Sequence, residues 1–141
     1  MEHINGSITV AILGFFLLNG SMGIAQEANR LDTFSVDTST FENIKVVKLH
    51  SDERSSTFLI WVKNEVRLHK HMEHTENVYV LEGSGLFTLG ADQFPIDPGM
   101  HIVIPKGVVH SAIVLSEKPM KVLSIQSPEF NGKDRLFLDE E

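Results

Sequence analysis

The sequence contains no cysteine. That absence excludes disulfides, thiolate nucleophiles, iron–sulfur ligation and thiolate zinc sites, so any bound metal must take nitrogen and oxygen ligands. Basic clusters are missing too: 12 Lys and Arg stand against 19 Asp and Glu, for a formal net charge of −7. An acidic surface without a concentrated positive patch is not expected to bind nucleic acid or an anionic membrane. No stretch beyond the N-terminal segment has sustained helical periodicity, and none is apolar for long enough to span a bilayer. What is present is 42% hydrophobic and 22% charged residues over a length of 141. These values describe one globular domain; they exclude a disordered chain and leave too little length for two ordinary domains.

The N-terminus reads as an export signal. Ile8 to Leu18 is a compact apolar run, Asn19-Gly20-Ser21 breaks it, and Gly23 and Ala25 supply the small residues that a signal peptidase reads. Residues 1–25 are therefore predicted to be a signal peptide cleaved after Ala25, leaving residues 26–141 as the mature domain in the periplasm or outside the cell, with no stable membrane insertion. The leader has no Lys or Arg. An uncleaved anchor and a buried helix are the other readings of the run.

After a polar lead-in, short β-rich runs follow one another. They are 44–49, 58–62, 78–81, 86–89, 93–96, 101–104, 111–115 and 120–125, separated by Gly83-Ser84-Gly85, Gly90-Ala91-Asp92, Pro98-Gly99 and Pro105-Lys106-Gly107. Many short strands punctuated by Gly and Pro predict an all-β sandwich or barrel. Pro98-Gly99 suits the two central positions of a type II turn. The tail, 127–141, is mixed; Phe130, Leu136, Phe137 and Leu138 are expected to pack as a flap or a short helical turn.

Two segments carry the chemistry. His69 and His71 are two residues apart, so on a strand both rings project from one face. Glu76 follows a polar corner where the next strand begins, and His110 must be brought in by the fold. Three imidazoles and one carboxylate form a ligand set for a divalent first-row metal with coordination positions left open.

These segments resemble the two motifs of the cupin family. The first pairs two histidines with a glutamate and a glycine, matched by His69, His71, Glu76 and Gly83; the second is matched by Gly99, Pro105, Gly107 and His110. The glycine that usually precedes the histidine pair falls on Lys63. The acidic residue that often follows the first glycine of the second motif is Met100, and the asparagine that often closes it is Val114. The resemblance covers about residues 44–126. It implies a cupin β-barrel, a jelly roll or double-stranded β-helix, with His69, His71, Glu76 and His110 around one divalent transition metal: Mn, Fe, Ni, Cu or Zn. In this reading His69 and His71 share a strand, Glu76 comes from its neighbour and His110 from a strand folded across. Family habit adds a homodimer made by pairing outer strands.

The implied function is that of a metal-dependent enzyme (dioxygenase, isomerase, lyase or decarboxylase) acting on a small oxygenated molecule bound at the metal. A non-catalytic metal- or ligand-binding cupin, or an interaction module, are the alternatives. By parity with Glu76 and His110, the residues Val78, Val80, Ala112 and Val114 face inward. No Arg or Lys clamp for phosphate or sugar acids is evident: Arg67 lies near the first motif, and Lys70 points away from its flanking histidines, which favours a small, largely uncharged oxygenated molecule bound through the metal. His74 is expected to be a solvated corner residue, with support of a metal ligand or pH gating as the minor option. Tyr79 lies at odd spacing from Glu76 and should face away from the metal, in packing or an interface. His101 is expected on the surface, and Glu82 and Glu117 as simple turn carboxylates.

Overall fold

The computed structural model describes residues 30–138. The predicted signal segment, 1–25, lies outside the described residues. The chain divides into two units, 1–36 and 37–141. The described part of the first holds one 3-10 turn, Leu31–Thr33, beside an exposed Arg30–Asp32 ion pair.

The second unit is all-β. Its strands are β1 (Ile44–Ser51), β2 (Ser56–Val62), β3 (Glu65–His71), β4 (Thr75–Glu82), β5 (Gly85–Leu89), β6 (Asp92–Ile96), β7 (His101–Ile104), β8 (His110–Val114), β9 (Met120–Ser127) and β10 (Arg135–Phe137). They form two five-stranded sheets in the orders β1-β2-β9-β4-β7 and β10-β3-β8-β5-β6. Late strands are inserted between early ones, β9 between β2 and β4 and β8 between β3 and β5. This is the double-stranded β-helix that the strand pattern and the resemblance led us to expect. Each apolar run lies on one of these strands; Leu115 alone falls just past the end of β8. The tail differs from expectation: it forms β10, which pairs with β3, rather than a flap or helical turn.

Inward-facing side chains grade from polar at one end of the barrel to apolar at the other. Along β4 they are Glu76, Val78 and Val80; along β8, His110, Ala112 and Val114; along β9, which runs antiparallel to β4, Gln126, Ser124, Val122 and Met120. The apolar end is the core, where Val80, Phe87, Ile96, Ile102, Ile104 and Met120 join the two sheets. Burying each such side chain contributes about 2 kcal/mol. The polar end is held open by this packed base.

Tight glycines fix the turn between β4 and β5. A Cβ at Gly83, whose φ is +76°, would lie 2.7 Å from the Cα of Met120. One at Gly85 would lie 2.2 Å from the carbonyl oxygen of Ile113. At Pro98-Gly99 the Met100 N–H donates to the Asp97 carbonyl at 3.2 Å, and Gly99 has φ +95°, as a type II turn requires at its third position. Glu82 is more than a turn carboxylate: it lies 3.2 Å from the buried ammonium of Lys121, which also sits over the Trp61 ring.

Candidate metal centre

The two histidines of β3 reach the interior through a β-bulge. Val66 pairs with Ala112 and His69 with His110, so three steps along β3 match two along β8. Unbroken alternation from the inward Val66 would turn His69 outward; the extra residue restores the inward face for His69 and His71. The Arg67 carbonyl within the bulge lies 2.8 Å from His69 Nδ1. On β8 the Val108 carbonyl lies 3.0 Å from His110 Nδ1. Both contacts place the ring proton on Nδ1 and leave Nε2 as a lone-pair donor toward the cavity.

His69 and His110 are cross-strand partners, and their ring centroids are 4.1 Å apart. His71 follows on the same face of β3, and its carbonyl accepts from the Gly107 N–H, which ties the loop of the second motif to the end of the first. Glu76 faces these three from the opposite sheet. Its Oε2 is 3.5 Å from His71 Nε2 and 3.5 Å from His110 Nε2. The fold thus brings all four side chains to one place, with two elements exchanged relative to expectation: His110 is on the strand bonded to β3, and Glu76 comes from across the barrel. An antiparallel β3–β8 pair closes in hydrogen-bond register, so the distant histidine becomes the neighbour.

His69, His71 and His110 are each no more than 3% exposed. The nitrogens His71 Nδ1, His71 Nε2 and His110 Nε2 have no hydrogen-bond partner. Leaving a buried polar atom unpaired costs about 1–3 kcal/mol, so this cluster is built for something other than a packed core. The imidazole donor atoms of all three residues lie within 4.8 Å of one another. A separation of 3.5 Å is too long for a hydrogen bond, yet it is close to the ligand–ligand edge around an ion with bonds of about 2.1 Å. The residues present therefore fit a divalent ion with nitrogen and oxygen ligands.

Supporting groups hold the carboxylate. Glu76 Oε1 accepts from the Ser124 hydroxyl and from Gln126 Nε2 at 3.3 Å, which leaves Oε2 for the cluster. Burial pushes the Glu76 carboxyl up, but contacts with His110, His71 and Ser124 outweigh it and hold the group well below the usual carboxylate range. Burial pushes the His69 imidazole down to about 4, with the nearby His110 and Arg135 adding to the effect. Neutral imidazole and ionised carboxylate are the protonation states that metal ligands need.

His74 departs from its expected place in solvent. It is 1% exposed. Its Nδ1 contacts the Asp134 carboxylate and its Nε2 lies 2.7 Å from the Glu129 carbonyl. Asp134 also accepts from the backbone N–H groups of Met72, Glu73 and His74. Burial opposes charge on His74, but the Glu129 carbonyl and Asp134 outweigh it and raise its pKa; burial likewise opposes charge on Asp134, and its hydrogen bonds, His74 first, lower its pKa. The two form an ion pair. His71, His74 and Asp134 make a second cluster of metal-ligand types, but its last two members are committed to each other and to the backbone. The pair instead locks the corner between β3 and β4, the segment separating His71 from Glu76, to the C-terminal tail.

A cavity of about 80 Å³ opens beside the histidines. Its floor is His69, Glu76 and His110, its walls include Ile44, Val46, Ile60 and Val78, and Arg135 stands among its lining residues. Val78, Val80 and Ala112 face inward and are buried, as parity requires, and Val114 is half-buried. Of these only Val78 reaches the cavity; the others belong to the base beneath it. No Arg or Lys was expected at the pocket, and the structure corrects this: Arg135 is among its lining residues. Sequence reading had no signal for it, since a three-residue strand in a mixed tail has no periodicity to read. Ser124 and Gln126 were also missed, although their even spacing on β9 places them on one face. Tyr79 points away from the cluster, 40% exposed, with its ring stacked on the exposed His101 at 4.3 Å.

A family profile described as the cupin domain matches residues 56–126. An uncharacterized protein of Aquifex aeolicus (strain VF5) is 37% identical over 98 residues, covering 70% of this chain and 80% of that protein. L-ectoine synthase of Aliivibrio fischeri (strain MJ11) is 23% identical over 101 residues, covering 70% of this chain and 79% of the synthase. Among solved structures, Pac13 of Streptomyces, a nucleoside dehydratase, superposes with a TM-score of 0.61 at 18% identity, over 70% of this chain and 82% of Pac13.

Proposed function

The chain belongs to the cupin family, and on that premise we propose that it binds one divalent transition metal through His69, His71, Glu76 and His110 and uses it on a small oxygenated organic molecule. The observation that carries this reading is the set of buried imidazole nitrogens that have no partner in the protein yet converge with Glu76 Oε2. A metal there supplies Lewis acidity, polarising a carbonyl or acidifying bound water. The protein's own contribution is to keep His69 and His110 in the Nδ1-protonated tautomer and to hold the Glu76 carboxylate by Ser124 and Gln126. The cavity walls beside the cluster are largely apolar. Catalysis is also supported by the activities in the names of ectoine synthase and the nucleoside dehydratase. The metal is one of Mn, Fe, Ni, Cu and Zn. Export to the periplasm or beyond, and a homodimer, belong to the same proposal; Tyr79, His101 and Val103 are exposed on the outer face of β4 and β7, where a second copy would pair.

One observation favours a second reading, a non-catalytic binder. Among the described residues lining the cavity, the titratable ones are His69, Glu76, His110 and Arg135. Three of these are assigned to the metal, and no separate acid or base stands beside them.

Elemental analysis of the purified protein tests the assignment. The wild type should carry about one divalent ion per chain. His71→Ala and Glu76→Gln should lose that ion while still unfolding cooperatively. Substoichiometric metal in the wild type, unchanged in the variants, would remove the site.

A further inference from the structure

We propose that the molecule taken up beside the metal centre is a small organic acid, and that Arg135 is the residue that binds its carboxylate. The inference rests on the cavity's being the ligand site, and it adds the ligand's charge and the residue that reads it.

The position of Arg135 follows from strand register. Arg135 pairs with His71, Leu136 with Lys70 and Phe137 with His69. Directly opposed residues on an antiparallel pair share a face, so Arg135 and Phe137 share the face of the histidines, with Phe137 half-buried and Arg135 exposed at the cavity mouth, while Leu136 lies on the other face. The Phe137 and His69 rings are 5.9 Å apart, in agreement. The Arg135 guanidinium lies over the Phe130 ring, 5.8 Å from its centroid. A cation–π contact of this kind holds the guanidinium near the ring without using its N–H donors. Among the described residues Arg135 has no ion-pair partner. The preceding residue, the buried Asp134, is committed to His74 and three backbone N–H groups.

Arg135 stands where two cavities meet. One is the 80 Å³ space over His69, Glu76 and His110; the other, of about 140 Å³, is lined by Phe58, Gln126 and Phe130. Val46, Ile60 and Arg135 line both. The result is an apolar groove with a cation at its middle and the metal ligands at one end. Gln126, which lines the second space, has an Oε1 with no partner in the protein. In a chain of formal net charge −7, this groove has one carboxylate, Glu76, against Arg135, and a divalent ion makes it net positive. A single planar fork suits a carboxylate, whose two oxygens accept its parallel N–H donors. A phosphate dianion would want further cations, and among the described lining residues there are none. The size of the groove and its aliphatic walls call for a short, branched, largely apolar acid.

The test is calorimetric titration of the full chain, as purified and again after metal stripping. The probes are 3-methylbutanoate, 2-hydroxy-3-methylbutanoate and 3-methyl-2-oxobutanoate, each beside its uncharged amide. At least one acid should bind wild type tenfold or more tighter than its amide. Arg135→Gln should weaken that acid at least tenfold and leave the amide unchanged, while Arg135→Lys, which keeps charge and loses the fork, should recover part of the difference. Should Arg135→Gln fail to fold, the Lys variant and the acid-to-amide ratio of wild type still decide. Equal binding of acid and amide, no binding of any acid, or an acid affinity indifferent to position 135 would overturn the proposal. Metal content measured on the same samples separates the two readings. Metal retained without acid preference removes Arg135's role alone; metal absent removes the metal centre, and the ratio in the stripped protein still reports on Arg135.

Discussion

His74 and Asp134 meet across 60 residues of sequence and fasten the last described segment of the chain to the corner between β3 and β4. Asp134 accepts from His74 and from three consecutive backbone N–H groups, so one carboxylate sets the shape of the loop between His71 and Glu76. Breaking a buried ion pair by removing one partner costs about 3–5 kcal/mol. Asp134→Ala is expected to lower stability by about that much in urea unfolding, and Asp134→Asn by less, since the amide oxygen still accepts from the loop. In both variants β10 should lose amide-exchange protection before the core strands β4 and β9.

Metal loading should stabilise the fold. A ligand bound only by the native state adds about 2.7 kcal/mol at a free concentration of one hundred times its Kd. Chelator treatment is expected to lower Tm, and readdition of a divalent ion to restore it. In Glu76→Gln the shift should disappear. Ser124→Ala, which removes the hydroxyl bonded to Glu76 Oε1, should keep the site and weaken metal affinity by about tenfold.

Gly85→Ala should be among the most damaging single substitutions. The new Cβ would meet the backbone carbonyl of Ile113 at 2.2 Å, and backbone atoms in a paired strand have nowhere to move. A loss of about 3 kcal/mol, or failure to accumulate as soluble protein, is expected. Gly107→Ala has open space around its Cβ and is penalised only by its positive φ, at about 1–2 kcal/mol. Paired denaturation curves of the two variants check the order.

Mass spectrometry of the chain produced in an export-competent host should find Gln26 at the mature N-terminus. An intact Met1 in such cells would refute cleavage after Ala25.

Much of this architecture is legible in residue order. The alternation in β4, β8 and β9 and the glycines and prolines between strands mark every strand but β3, read only from its histidine pair, and β10, and they show which side chains face in, so Val78, Val80 and Ala112 are placed by parity alone. The four candidate ligands are legible for the same reason. What local pattern cannot carry is pairing. The neighbour of His69 is His110 because β8 closes against β3, and no spacing in the sequence states that. The bulge after Val66 is equally silent, as it consists of ordinary residues, Arg67 and Leu68. His74 reads as a corner residue because the partner that buries it is Asp134, in a tail whose composition announces no element.

Strand β10 has one more consequence. The groove's sole described cation and one of its aromatic walls arrive on a short peptide appended after the last strand of the core. Exchange of Arg135 alone, with Phe130 and Asp134 kept, would hand the barrel a different charge at its lip while the metal ligands and packed base stayed in place. Relatives with the same two motifs can therefore diverge in what they accept through this short margin.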